Sequence, residues 1–500
     1  MKKLIRTNYL FDGENPPRKG YVTIEDKQIT RVAFDWAYEE LTDFEVIDYS
    51  EQFVMPGLHD NHVFFSGYLR MNAGIDLSHC RNVEEALVVL RSKIAQATDL
   101  TKPIYAHGFD LTVWPTPPTQ AQLDALQYPG TIAAIDKNRS FAWLNQNAKK
   151  HYGFTEEQTS AEAAVRLIKE LLADEDELAQ GYQAFEELLL SRGVVSLKEI
   201  VFDEASYFEH CPQRKLATTF YVQAVAEAMN IERLMGYQKQ DFPKNICFGG
   251  AKIMVDGVVA DETGETNAPY TSGQARPEID YQAINSVVQQ CNEQGIPCCL
   301  TTEGDLAGEK AAELLKHFGK RLPGGVYNSI SDLEMITAKM AKWMAEGDIV
   351  AEIYPQILGL NPSYEDSYML SVLPAEEQVH FFDYRMLADQ GVCITSGTDL
   401  PLFITSLPES ILFGILRKYP EKDQRWNPER GLDFLTLFQS YTKNAYRANG
   451  QKDGGVIKVG ATANLAIFDR NIWTEDVAEL AKAEVLETYI AGEVVYRRDS

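Results

Sequence analysis

No run of about 18 uncharged apolar residues occurs in the 500-residue chain, which leaves no candidate for a membrane-spanning helix. Residues 1–17, MKKLIRTNYLFDGENPP, carry two early lysines but break their apolar stretch at Asp12 and Glu14, so no secretion-signal core is expected. No CxxC pair exists: the seven cysteines, at 80, 211, 247, 291, 298, 299 and 393, are scattered and odd in number. That pattern argues against a disulfide framework and for a reduced, cytoplasmic setting. Basic residues are scarce, with 47 Lys and Arg against 73 Asp and Glu for a net charge of −26. Nucleic acid and anionic membranes need a basic surface, so both are excluded as partners. There is also no GxGxxG or P-loop turn, which removes the common phosphate cradles.

What the chain does have is an ordinary globular composition, 45% hydrophobic and 24% charged. One phrase recurs in it. An amphipathic helix ends at a glycine, and a short apolar strand with a polar end follows, as in AFEELLLSR–Gly193–VVSLKEIV and INSVVQQCNEQ–Gly295–IPCCLTTEGD. The same order returns around Gly347 and Gly391. A glycine in the left-handed region commonly closes a helix, and an apolar run suits a strand buried on both faces. Cys298 and Cys299 read as packing residues of such a strand. Further strands are expected in 53–65, 216–225, 249–259 and, more weakly, 324–332. That makes eight, the requirement of a (β/α)8 barrel.

The ends differ. Residues 1–52 and 446–500 hold short strand-like runs, too few at either end for an independent sheet, so they are expected to pair into one small β-sandwich domain. The barrel then spans 53–445. Residues 66–192 are too long for one connection and predict an inserted subdomain, with Asn82 and Glu85 as a capping box for the helix that follows.

At this point the motifs resemble a known family. MPGLHDNHVFF resembles the first-strand signature of the metal-dependent amidohydrolase superfamily, usually PG followed by Asp-x-His-x-His. GFDLTVWP and SFAWLNQNA resemble the insert of its YtcJ-like (amidohydrolase-3) branch. AKIMVDGVV resembles its lysine strand, SGTDLPL its Gly-Ser-Asp-x-Pro segment and VGATANLAIFD its terminal β-domain. The resemblance runs in order along nearly the whole chain. It implies a (β/α)8 barrel whose C-terminal mouth holds one or two divalent metals that activate water, usually to hydrolyse a C–N bond.

Carried over residue by residue, Asp60 and His62 match the first-strand Asp and His, Lys252 the metal-bridging lysine and Asp399 the proton-shuttling aspartate. The other histidine positions of the family read Phe64, Ser140, Thr301 and Asp332. Side chains alternate along a regular strand, so 60, 62 and 64 should share a face that His59 does not. This substitution pattern implies a reduced site with one metal, zinc by family habit, held by His62, Asp399 and either Asp60 or Asp332. Asp399 and Lys252 are then the catalytic pair, and Phe64, Thr301, Glu303 and Glu199 are the pocket candidates. The aromatics Trp114 and Trp143 read equally as pocket wall or as packing. Three functions stay open: a hydrolase of a small molecule's amide-like C–N bond, a metal-free barrel that binds a ligand, or a metal-free isomerase or lyase using Asp399 and Lys252. A homodimer is the family expectation.

Overall fold

The computed structural model describes the chain apart from residues 1, 138–140, 154–159, 212–216, 228, 319–321, 361–368, 420–424 and 500. Ser140 therefore lies outside the described residues. The chain forms two compact units, one of residues 1–63, 186–202 and 215–500, the other of 64–185 and 203–214.

The first unit contains the barrel. Its strands are β1 (Leu58–Val63), β2 (Val194–Val201), β3 (Thr219–Val225), β4 (Ile246–Met254), β5 (Cys298–Thr302), β6 (Ser329–Asp332), β7 (Val350–Ile353) and β8 (Ile394–Ser396). They pair in parallel in sequence order. A parallel bridge between Val63 and Leu400 brings the last strand back to the first, and the Asp399 N–H donates to the His62 carbonyl at 2.8 Å. All eight expected strands are present. Every residue of β2, β5 and β7 is buried, the two adjacent cysteines included, as a strand covered on both faces requires.

The helix–glycine–strand phrase is also seen. Gly193, Gly295 and Gly391 each hold φ between +75° and +79°. Gly347 departs from it: it is the last residue of the helix Ala338–Gly347, and Asp348 takes the left-handed position at φ 51°. A Cβ at 347 would sit 3.0 Å from the Ile349 side chain and 3.2 Å from Lys316 Cα, so glycine there relieves close packing and is not called for by its φ.

Both chain ends contribute to one eight-stranded sheet, in the order Glu493–Arg497, Val485–Ile490, Leu465–Phe468, Phe53–Pro56, Lys3–Leu10, Arg18–Glu25, Gln28–Ala33, with Glu45–Asp48 also on Lys3–Leu10. Phe53–Pro56 pairs antiparallel with Leu465–Phe468 in this sheet. The change from sheet to barrel therefore falls at Gly57, not after residue 52. At the other end the helix Lys443–Ala448 still serves the barrel: the Asn444 amide donates to the Ile394 carbonyl at 3.1 Å.

The second unit carries its own four-stranded sheet, ordered Ala142–Leu144, Ile132–Asp136, Ile104–Phe109, Ile75–Asp76. Trp114 and Trp143 are core residues there, stacked around Phe109 with Leu77 and Leu90, and each indole N–H is satisfied by a backbone carbonyl. Their main role is packing in this core. The helix Val83–Gln96 starts at Asn82, whose side chain accepts from the Glu85 N–H at 2.9 Å. Glu85 returns the bond one residue earlier than a strict capping box, to the Arg81 N–H.

Candidate active site

The site is built where β1, β4, β6, β7 and β8 end, the catalytic end of barrels of this kind. Its first strand is irregular. Asp60 pairs with Leu197 and Val63 with Glu199, so Asn61 and His62 together oppose the single residue Lys198. That bulge breaks the alternation expected across 60, 62 and 64. β1 stops at Val63, and Phe64 is the N-cap of the helix Phe65–Asn72 in the second unit. A glycine at 397 lets β8 approach the bulge, since a side chain there would come within 2.6 Å of His62 Cβ.

His62 is buried at the centre. Its Nε2 lies 3.4 Å from Lys252 Nζ and 3.7 Å from Asp399 Oδ1; its Nδ1 lies 3.0 Å from the Tyr354 hydroxyl and 3.9 Å from Glu352 Oε2. Tyr354 donates to Asp332 Oδ1 at 3.2 Å. Lys252 donates to Ser331 Oγ at 2.9 Å and pairs with Asp332 Oδ2 at 3.6 Å, while Ser331 donates to the same Oδ2 at 2.7 Å. Thr301 Oγ1 touches Ser331 Oγ at 3.2 Å. One proton arrangement satisfies the whole chain: Lys252 donates to Nε2, Nδ1–H donates to Tyr354, and Tyr354 donates to Asp332.

The electrostatics follow from this enclosure. Burial, helped by the Lys252 charge, pushes His62 down to about 4, so the imidazole is neutral at pH 7. For Lys252 burial works downward, but the charge of Asp332, with Glu352 and Asp399 behind it, holds the ammonium above its ordinary range. Asp332 is lowered: burial opposes its charge, but Lys252, His62 and the hydroxyls of Ser331 and Tyr354 together outweigh burial. Glu352, also buried, is held well below the usual carboxylate range by Lys198, which meets its Oε1 at 2.5 Å. On β2 it is thus Lys198 that crosses to β7. Glu199 is fully buried beside it in the strand, opposite Val63 and Val222.

Two first-strand residues are committed elsewhere. Asp60 Oδ1 accepts from the backbone of His62 and Thr398 at 3.2 and 3.1 Å, and Oδ2 accepts the hydroxyls of Thr398 and Thr405, each at 2.6 Å. It ties β1 to β8. His59 bonds Ser196 Oγ at 2.8 Å between the rings of Tyr221 and Tyr446, and burial pushes it down to about 3.

The residues present do not fit a divalent-metal centre. His62 is the one imidazole of the network. The space between its Nε2 and Asp332 holds the Lys252 ammonium, a cation where a metal would have to sit. Asp60 has no uncommitted oxygen, and Thr301 and Phe64 bring no nitrogen. His62 Nε2 and Asp399 Oδ1 remain, two donors where zinc takes at least three from the protein. Among the described residues no group of three His, Cys, Asp or Glu is arranged to hold a metal.

Glu303 follows β5 and Glu334 lies two residues beyond β6. Together with Asp256, two residues beyond β4, they form a carboxylate group beside Asp332. Asp256 accepts from the backbone of Glu303, Gly304 and Glu265 at 2.8–2.9 Å. Burial, and then the neighbouring carboxylates, push Glu303 up to about 10, and burial pushes Glu334 up to about 8. Sequence reasoning named Glu303, and on β2 left Glu199 and Lys198 as alternatives for one inward-pointing group, but missed Glu334, Glu352 and Tyr354. The strand VAEIY held a usable signal, since a charged residue inside a wholly buried strand must have a partner.

Residues 45–496 match the model of the Amidohydrolase family. The chain belongs to that family. It is 21% identical over 258 residues to YtcJ of Bacillus subtilis (strain 168), assigned as an amidohydrolase, covering 50% of this chain and 47% of that one. It is 27% identical over 124 residues to the N-substituted formamide deformylase of Arthrobacter pascens, 25% of this chain and 23% of that one. The chain thus spans about half the length, or less, of the curated relatives it matches. Among solved structures it resembles an uncharacterized metal-dependent hydrolase from Pyrococcus horikoshii OT3, with TM-score 0.76 and 18% identity over 96% of this chain and 99% of that one. This likeness establishes the barrel fold. No helix among the described residues is long and apolar enough to cross a membrane.

Proposed function

We propose that this amidohydrolase-family chain hydrolyses a C–N bond of a small molecule by acid–base chemistry centred on Asp399 and Lys252. The observation that carries the reading is the Lys252 ammonium, fixed by Ser331, Asp332 and the neutral His62 in the middle of the barrel mouth. Asp399 is the most open carboxylate of the network, with its side chain 28% exposed. It takes a proton from a water whose oxygen bonds to the acyl carbon. The carbonyl π pair moves onto oxygen, where the fixed cation stabilises it, as preorganised charge does best in a dry site. When that pair returns, the C–N bond breaks and Asp399 delivers its proton to the leaving nitrogen. The products are a carboxylic acid and an amine. The His62–Tyr354–Asp332 chain keeps Lys252 in place and moves no proton in this scheme.

The family habit of metal dependence makes the test direct. The purified chain is assayed on a panel of small N-formyl and N-acyl amines before and after dialysis against a chelator, with metal content measured in parallel. Hydrolysis that survives chelation and is lost in Asp399→Asn is the expected result. Activity abolished by the chelator and restored by zinc or manganese would overturn the reading. A second reading, a ligand-binding barrel without turnover, draws on the replaced positions Phe64, Thr301 and Asp332; tight binding of an amide with no hydrolysis would favour it.

A further inference from the structure

The carboxylates beside the proposed site exceed what its residues balance. Glu303 and Glu334 lie within hydrogen-bonding reach of each other, with Asp256 and Asp332 near both. The lysine next to them, Lys252, is engaged by Asp332. The oxygens of Asp256 are taken by three backbone N–H groups. Glu303 Oε2 and Glu334 Oε2 are left: both atoms are buried, and neither has a hydrogen-bond partner among the described residues. Glu334 is only 9% exposed. An unpaired buried acceptor costs about 1–3 kcal/mol; burial keeps both carboxyls protonated near neutral pH in the free chain, and a cation entering between them would bring the N–H donors and the charge that let them ionise. The backbone enforces the pairing. Asp332 and Leu333 both hold positive φ, 73° and 49°, and the Met335 N–H donates to the Glu303 carbonyl at 3.1 Å, which brings Glu334 back against Glu303.

We propose that Glu303 and Glu334 receive the positively charged end, an ammonium or guanidinium, of the small molecule on which Asp399 and Lys252 act. The inference rests on the reading above for what happens to the rest of the molecule. A metal ion fits the pair less well, because two carboxylates without a third free ligand are a poor cage, whereas an organic cation brings the N–H donors that both Oε2 atoms lack. The substrate class is then a cationic amide, with its charge held beyond β5 and β6 and its C–N bond at Asp399.

The test separates binding from turnover. Calorimetric titration of the full chain compares n-butylguanidinium with its neutral isostere n-butylurea. Binding of the cation at least tenfold tighter is expected, with a tenfold or greater loss in Glu303→Gln and in Glu334→Gln, variants that keep volume and whose folding is checked by circular dichroism. If a variant does not fold, the comparison of the two ligands on the unaltered chain decides. Equal or absent binding of the cation would overturn the inference, and so would displacement of the pair's ligand by millimolar magnesium or manganese. The two readings fail separately. Cation binding without hydrolysis of any amide sinks the hydrolase and leaves this site standing. Hydrolysis of neutral and cationic amides with equal kcat/KM does the reverse.

Discussion

The backbone N–H of Asp399 donates to the carbonyl of His62 at 2.8 Å, and the side chains of the same two residues meet at 3.7 Å. One contact closes the barrel between its last strand and its first. The other sets the distance between the proposed base and the imidazole at the centre of the site. Closure of the fold and alignment of the site are therefore the same event.

Gly397 guards that contact. A methyl group there would stand 2.6 Å from His62 Cβ and 2.8 Å from its backbone nitrogen. Gly397→Ala is expected to destabilise the chain by about 1–3 kcal/mol, as overpacking does, seen as an earlier midpoint in urea unfolding.

Lys198 and Glu352 are a buried pair with side chains 4% and 1% exposed. Lys198→Met strands the Glu352 carboxylate and should cost about 3–5 kcal/mol, whereas Lys198→Met combined with Glu352→Met should recover much of the loss. A double-mutant cycle on unfolding free energies checks this. Single and double variants of equal stability would show that Glu352 does not depend on Lys198.

Asp399→Asn should lower turnover by about 10²- to 10⁴-fold, the usual contribution of a positioned acid–base group, with KM little changed. Progress curves on the best amide of the panel give both constants. A change confined to KM would make Asp399 a binding residue.

The pH dependence of stability can be worked out by sign. Glu334, raised from 4.5 to about 8, contributes stability that is full below pH 4.5 and is lost as pH rises to about 8; Glu303 continues the loss toward pH 10. His62, lowered from 6.5 to about 4, acts oppositely, its contribution being lost as pH falls from 6.5 to 4. Above pH 6.5 only the carboxyls still change. Melting temperature should therefore fall from pH 6.5 to 8 in the unaltered chain, and fall less in Glu334→Gln. Parallel curves for the two would refute the assignment.

Four of the eight strands could be read from sequence because each follows a glycine at a helix end, a local signal that needs no knowledge of partners. Gly347 shows the limit: glycine stands there because another helix is close, a reason invisible along the chain. The first strand fails in the same way. Alternation predicts one face for 60, 62 and 64, but a bulge depends on what the neighbouring strand opposes, and here Lys198 faces two residues. Hence Asp60, expected as a ligand candidate, is a strap between β1 and β8. Lys252 and Asp399 were found by resemblance, and the partners that decide their chemistry, Tyr354 and Ser331, carry no motif.

One stretch of chain, Phe53 to Val63, runs from the terminal sheet through Gly57 into β1. Its first half is gripped by Leu465–Phe468, and its last residues carry His62. The terminal sheet is in effect an anchor block for a tether that ends in the active centre. Removing residues 465–500 would release the block, and His62 would lose its fixed height in the barrel although no residue near it had changed.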